Sequence, residues 1–253
     1  MILRGEDLAF SYGKTPVLDR VSLALADGEL VMLVGPNGSG KSTLLKLLAG
    51  FLRPAAGRVL LDDVPLENYS WRERALRQAF LSQDNAPALE FTVRESVMLG
   101  RNPHLGVFSS PGAGDEAAVS KALEAMGLTA LADRPANRLS GGERQRAMLA
   151  AVLAQQSECL LLDEPTSALD VRHTLTLVEH LRILRGDCGI LMVTHDLDLA
   201  LRYADRVVLL KDGAVVADAP PEAAMSEENL SFAYGCNAAV LRNERFKTVA
   251  FYR

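Results

Sequence analysis

The densest chemistry in the chain lies between Gly35 and Ser42, where GPNGSGKS follows the apolar run ELVMLV. A glycine-rich turn would account for the glycines alone. It would not account for Lys41 and Ser42 opening the helical pattern KSTLLKLLAG, and together the residues fit G-x-x-x-x-G-K-[ST] between a strand and a helix. That is the pattern of a phosphate cradle. The loop Gly35, Pro36, Asn37, Gly38, Ser39 and Gly40 would surround a β-phosphate with N–H groups, helped by the positive end of the following helix. Lys41 would reach the β- and γ-phosphates, and the Ser42 hydroxyl, with Thr43 beside it, would ligate Mg²⁺. The signal points to a nucleoside triphosphate and does not say what is done with it.

A second constellation is CLLLDE, Cys159 to Glu164, an apolar strand pattern ending in adjacent carboxylates. Neighbouring strand residues point to opposite faces, so the acids can take different roles. Asp163 is suited to hold Mg²⁺ through water and Glu164 to polarise an attacking water. An exposed acidic strand end is the plain alternative, but beside the phosphate loop the catalytic reading wins. The third is LSGGERQR, Leu139 to Arg146. Ser140 and Glu143 have the spacing of a capping box, which explains a helix start. Gly141 and Gly142 are poor helix formers, and fit a helix end that another molecule must approach closely, such as a terminal phosphate.

Taken in order, these motifs resemble those of ABC-type ATPases, with LSGGE similar to the family's signature sequence. The resemblance runs from the first strand to about Asp218 and brings further residues with it. Gln83, ending AFLSQ, falls at the family's Q-loop glutamine, which implies a place at the metal and the reaction centre. Asp170 in SALD looks like the D-loop aspartate, and His195 in VTHD like the switch histidine that contacts the γ-phosphate. Tyr12 in FSYG is similar to the aromatic residue that stacks on adenine. Glu143 departs from the glutamine more usual there, although both can serve a capping box. The resemblance implies ATP and Mg²⁺ as ligands and a homodimer in which each signature closes over the nucleotide held by the other copy. The stretch TVRESVMLGRNPH is similar to ATPase subunits of importers for ferric siderophores, haem and cobalamin, where it faces the membrane subunit. A separate permease, an external substrate-binding protein and a place on the cytoplasmic face of the membrane follow as expectations. A soluble ABC ATPase of another kind, or an importer ATPase for another substrate class, stays open. A phosphoryl-transferring small-molecule kinase is disfavoured by LSGGE with His195, and a non-catalytic ATPase by Lys41 with Glu164.

The elements that must position these residues read as α/β. ILRGEDLAFSYG and VLDRVSLALADG look like short antiparallel strands, ELVMLVG, ECLLLDEP and GILMVTHD like buried strands, and DRVVLLKDGAVVADAPP like a hairpin about Asp212–Gly213. Between Gln83 and Cys159 helical patterns such as DEAAVSKALEAMGL take over. With the resemblance, the expected fold is a P-loop NTPase (RecA-like) core with an N-terminal antiparallel β subdomain and a helical insertion subdomain. The expected organisation is an ATPase domain over 1–225, with core segments 1–83 and 157–225, a helical subdomain over 84–156, and a tail over 226–253 without a motif. A chain of 253 residues, 49% hydrophobic and 23% charged, can bury such a core. Its net charge of -5 speaks against a nucleic-acid partner. Cys159, Cys188 and Cys236 have neither disulfide nor zinc spacing and read as small buried hydrophobes in a reducing compartment. MILRGEDLAF lacks the long apolar core of a signal peptide, and no apolar run reaches the length of a bilayer span.

Overall fold

The computed structural model describes residues 2–83, 91–106, 109–186, 188–242 and 247–253. Residues 84–90 and the first residue of FSSPGAGD, both in the expected insertion, lie outside these. The chain opens with β1 (Ile2–Tyr12) and β2 (Thr15–Ala26), a hairpin of longer strands than the sequence suggests, carried past Asp7 and Arg20 by register shifts. After β3 (Leu30–Val34) and α1 (Lys41–Leu48), β4 (Ala56–Leu61) and β5 (Val64–Pro65) return to the hairpin. They complete an antiparallel sheet of order β2-β1-β4-β5.

Next come α2 (Trp71–Arg77), started by a capping box between Ser70 and Glu73, and β6 (Gln78–Leu81). Helices follow: α3 (Val93–Met98), α4 (Ala113–Ala125) and α5 (Gly141–Ala154), with no strand between them among the described residues. Strands then alternate with helices through β7 (Cys159–Asp163), α6 (Val171–Leu184), β8 (Gly189–Val193), α7 (Leu197–Tyr203) and β9 (Arg206–Lys211). β10 (Ala214–Ala219) folds back on β9 as the expected hairpin, and α8 (Pro221–Ala224) follows it. The second sheet has order β10-β9-β3-β8-β7-β6 and is parallel except at β10.

The central strands are apolar without a break because both faces of the second sheet are covered. Leu30, Met32 and Val34 of β3 join the core on one face, with the buried residues of α3, α4, α5 and α6. Val31 and Leu33 join the opposite core, with α1 and the antiparallel sheet. β7, β8 and β9 divide their residues in the same period-two way. The chain ends in α9 (Glu227–Tyr234) and the hairpin β11 (Asn237–Arg242) and β12 (Lys247–Tyr252). Cys159 and Cys188 are buried as expected, but Cys236 is exposed. It follows Gly235, the left-handed end of α9, where the chain turns on the surface before β11.

Candidate nucleotide site

The phosphate-loop pattern runs from the end of β3 into α1. The Lys41 side chain folds back over the loop, and its Nζ donates to the carbonyls of Gly35 and Pro36, both at 2.8 Å. Burial pushes its pKa down, while the carboxylates of Glu164 and Asp163 pull the other way. Gly40 is the N-cap of α1 at φ +101°, and a Cβ there would meet Leu18 at 2.7 Å and the Val17 carbonyl at 3.0 Å. No other residue fits both the angle and the space. Asn37 is exposed on the loop, and Thr43 is buried in the first turn of α1. Gly38, by contrast, has nothing within 4 Å of the position its Cβ would take.

Ser42 Oγ donates to Asp163 Oδ1 at 3.0 Å, joining the first turn of α1 to the end of β7. Asp163 is almost fully buried, and that burial raises its pKa against the opposing effect of the Ser42 hydroxyl. Glu164, the next residue, has left the strand at φ +50°, and its N–H donates to the Val193 carbonyl at 3.2 Å. This backbone turn, and not strand alternation, separates the acids, and it places the Glu164 side chain between two partners. Gln83 Nε2 donates to its Oε2 at 3.0 Å, and His195 Nε2 contacts its Oε1. The sequence positions 83, 164 and 195 thus meet on one carboxylate, each at or just beyond the end of a neighbouring strand. A cleft of about 490 Å³ opens beside Glu164 and His195, walled also by Ser167, Val171 and Asp198; no phosphate-loop residue lines it.

The local donors suit a phosphorylated anion. The Ser39 hydroxyl is buried without a hydrogen-bond partner among the described residues, and the N-terminus of α1 has no side-chain cap. Ser42 and Asp163 offer hard oxygen atoms to a divalent cation. Gln83, whose amide nitrogen is turned to Glu164, has its carbonyl oxygen left for the same purpose.

The remaining sequence-selected residues lie apart from this cluster. Ser140 caps α5, its Oγ accepting from Glu143 N at 3.3 Å while its own N–H donates to Glu143 Oε2 at 2.8 Å. The Glu143 carboxylate is therefore engaged in the cap, which holds its pKa below the usual range. Gly141 faces open space, in keeping with a helix end left free for approach. Gly142 has a reason within the chain: a Cβ there would stand 3.1 Å from the Ala168 carbonyl. Asp170 caps α6 by accepting from His173 N at 2.8 Å. Tyr12 is exposed at the end of β1, edge-on to Phe10, on the hairpin whose other arm contacts Gly40.

Several supporting residues escaped the sequence reading. Buried Gln145, within LSGGERQR itself, donates to the Pro165 carbonyl and so ties α5 to the segment after Glu164. Thr194 Oγ1 accepts from Asp196 N, and the Asp196 carboxylate caps α7 directly after His195. The turn at Gly213 packs under the phosphate loop, its N–H donating to the Ser39 carbonyl at 3.1 Å. A polar residue inside a recognised motif and a Thr-His-Asp run were available as signals for the first two. Nothing local marks Gly213.

Residues 18–167 match the family model described as ABC transporter. The ferric enterobactin transport ATP-binding protein FepC of Escherichia coli K12 is 41% identical over 241 residues, spanning 94% of this chain and 89% of that protein. The hemin import ATP-binding protein HmuV of Rhodococcus jostii RHA1 is 44% identical over 244 residues, spanning 95% and 82%. An inward-facing metal-chelate type ABC transporter superposes with a TM-score of 0.83 at 27% identity, covering 99% of this chain and 96% of that one. The chain belongs to the ABC transporter family, as one of its ATP-binding subunits.

Proposed function

We propose that this chain is the ATP-hydrolysing subunit of an importer, energising uptake of an iron chelate, haem or cobalamin-type ligand through a separate permease. The observation that carries the catalytic part is the pair of contacts on Glu164, with Gln83 on one oxygen and His195 on the other, beside Lys41, Ser42 and Asp163. Glu164 is the general base that polarises water, and its two partners keep the carboxylate oriented. Lys41 compensates phosphate charge from a buried position where its own charge is poorly screened. Mg²⁺, held by Ser42, Gln83 and Asp163, would neutralise charge on the phosphates. Ser140, Gly141, Gly142, Glu143 and Asp170 serve the nucleotide held by a second copy, and Tyr12 supplies a face for adenine.

The direction and cargo rest on relatives whose names describe ferric enterobactin transport and hemin import. A permease contact is supported by exposed Phe51 and Trp71, which cluster with Phe80 of β6 at centroid distances of 6.5 and 4.9 Å from Phe51. β6 leads directly to Gln83, so pressure on this patch has a short path to Glu164. No helix among the described residues is long and apolar enough to cross a membrane, in keeping with a peripheral subunit on the cytoplasmic face that docks on a permease served by an external binding protein.

The test is Glu164→Gln in native membranes, with tagged protein purified in ATP and Mg²⁺. Expected is a nucleotide-bound dimer, turnover reduced by about 10²–10⁴-fold, the scale of general-base catalysis, and a co-purifying multi-helix permease. Recovery of soluble partners alone would remove the transport assignment, and near-normal turnover would remove Glu164 as base.

A further inference from the structure

The sequence assigns no task to residues 226–253, yet they touch the proposed site machinery at α7, the helix that starts two residues after His195. Asp198 in its first turn accepts from both Thr248 Oγ1 at 2.7 Å and Val249 N at 2.8 Å, the latter two on β12. Arg202, one turn later, donates to the Lys247 carbonyl at 2.9 Å and approaches Asp198 at 3.4 Å.

A ring contact ties the hairpin to α9, since Tyr234 and Phe251 of β12 have centroids 5.0 Å apart. α9 is itself fixed by fully buried Leu230 and by Lys211 Nζ, which donates to the Phe232 carbonyl at 2.7 Å. The hairpin is therefore anchored on α9 at one end and holds Asp198 through Thr248 and Val249. From there the Asp196 cap leads to His195 and its contact with Glu164. Three hydrogen bonds on a seven-residue helix are many, and two of them hold Asp198, at the end nearest the histidine.

We propose that the C-terminal hairpin is a brace on the switch histidine, in which Thr248 and Asp198 are positioning residues that hold α7 so that His195 meets Glu164. The inference rests on the proposed role of His195 in hydrolysis and adds residues outside the recognised motifs. Thr248 is the informative one, because it lies on the hairpin and lines none of the proposed site.

The test uses the purified full-length chain and steady-state Mg-ATP hydrolysis, with Thr248→Ala, Thr248→Ser and His195→Ala compared. Expected for Thr248→Ala is a kcat reduced about tenfold at unchanged KM, less than the roughly hundredfold that an ångström of misplacement can cost. Thr248→Ser, which restores the hydroxyl, recovers most of it. An unchanged kcat in Thr248→Ala or no recovery in Thr248→Ser would overturn the brace. Melting temperatures check folding; should Thr248→Ala unfold, Thr248→Val carries the same prediction. A His195→Ala variant of normal kcat would instead overturn the role of the histidine, so the two failures are told apart.

Discussion

The phosphate-loop side of this molecule and its signature side are built to different states of completion. Around Lys41 the polar groups of five segments already face one another, and the carboxylate of Glu164 is held from both sides. At Ser140–Glu143 the polar side chains are turned into their own helix cap, and Gly141 looks onto open space. One side is assembled by the fold of a single sheet, whose parallel strands deliver their ends to a common edge. The other is a helix terminus whose internal needs are met and whose outward N–H groups await something the chain does not itself bring. The contrast is what the proposed composite site calls for, one half preassembled within a chain and the other a self-capped helix end offered to a second copy.

Mixed dimers give the strongest way to break this comparison. Lys41→Ala and Gly141→Asp should each abolish hydrolysis in the homodimer, one by removing the cation that compensates phosphate charge and the other by placing a carboxylate, of the same sign as the phosphate, at the helix end. Co-assembled, they should recover roughly a quarter of normal activity, because half of the random dimers carry one intact composite site of two. No recovery on mixing, read by phosphate release, would mean that each chain completes its own site.

A smaller effect is expected at Asp163, where function and stability oppose each other. Its carboxyl binds a proton more tightly in the folded state than in the unfolded one, because burial disfavours the charge. Its contribution to stability is then greatest below the ordinary aspartate range and is lost as pH rises through the raised value. At neutral pH the buried charge is destabilising, so Asp163→Asn should be inactive yet melt higher than the parent. The gain should vanish near pH 3.8, where an ordinary aspartate titrates, and calorimetry across pH measures both. The smallest change is expected on the signature side. Glu143→Gln keeps the reciprocal cap with Ser140 and should shift stability by under about 1 kcal/mol, whereas Ser140→Ala, losing the cap, should cost about 1 kcal/mol by denaturant titration.

How much of this was legible in the sequence depended on how far apart the partners lie along the chain. The unbroken apolar runs of β3, β7 and β8 announce strands covered on both faces, and their residues divide alternately between the two cores. The helical stretch before Cys159 was equally readable, since α4 and α5 carry clear spacing. The strands of the first hairpin came out longer because Asp7 and Arg20 adopt left-handed backbone within them, a bend that side-chain patterning does not encode. Gly142 suits ligand approach by its type, and the Ala168 carbonyl, 3.1 Å from where a Cβ would stand, sets a second demand for glycine across 26 positions that no local pattern reveals. Cys236 looked like core material by type and is exposed because it sits just past a helix end. The brace at Thr248 was invisible for the same reason as Gly142, its partner Asp198 being 50 residues away.

The hydrogen bond from Glu164 N to Val193 O has a consequence for how the family's loops can vary. It continues the ladder in which Asp163 already stands opposite Val193, so β7 and β8 stay zipped beyond their ends. Base and histidine are thereby measured off from the same rung, and their spacing is set by a ruler of backbone amides and not by the segments that join the strands. Insertions in the turn between α6 and β8, at the far end of those strands, would leave that spacing untouched. A single residue added within β8 would carry every following side chain to the opposite face and present Thr194 where His195 now stands.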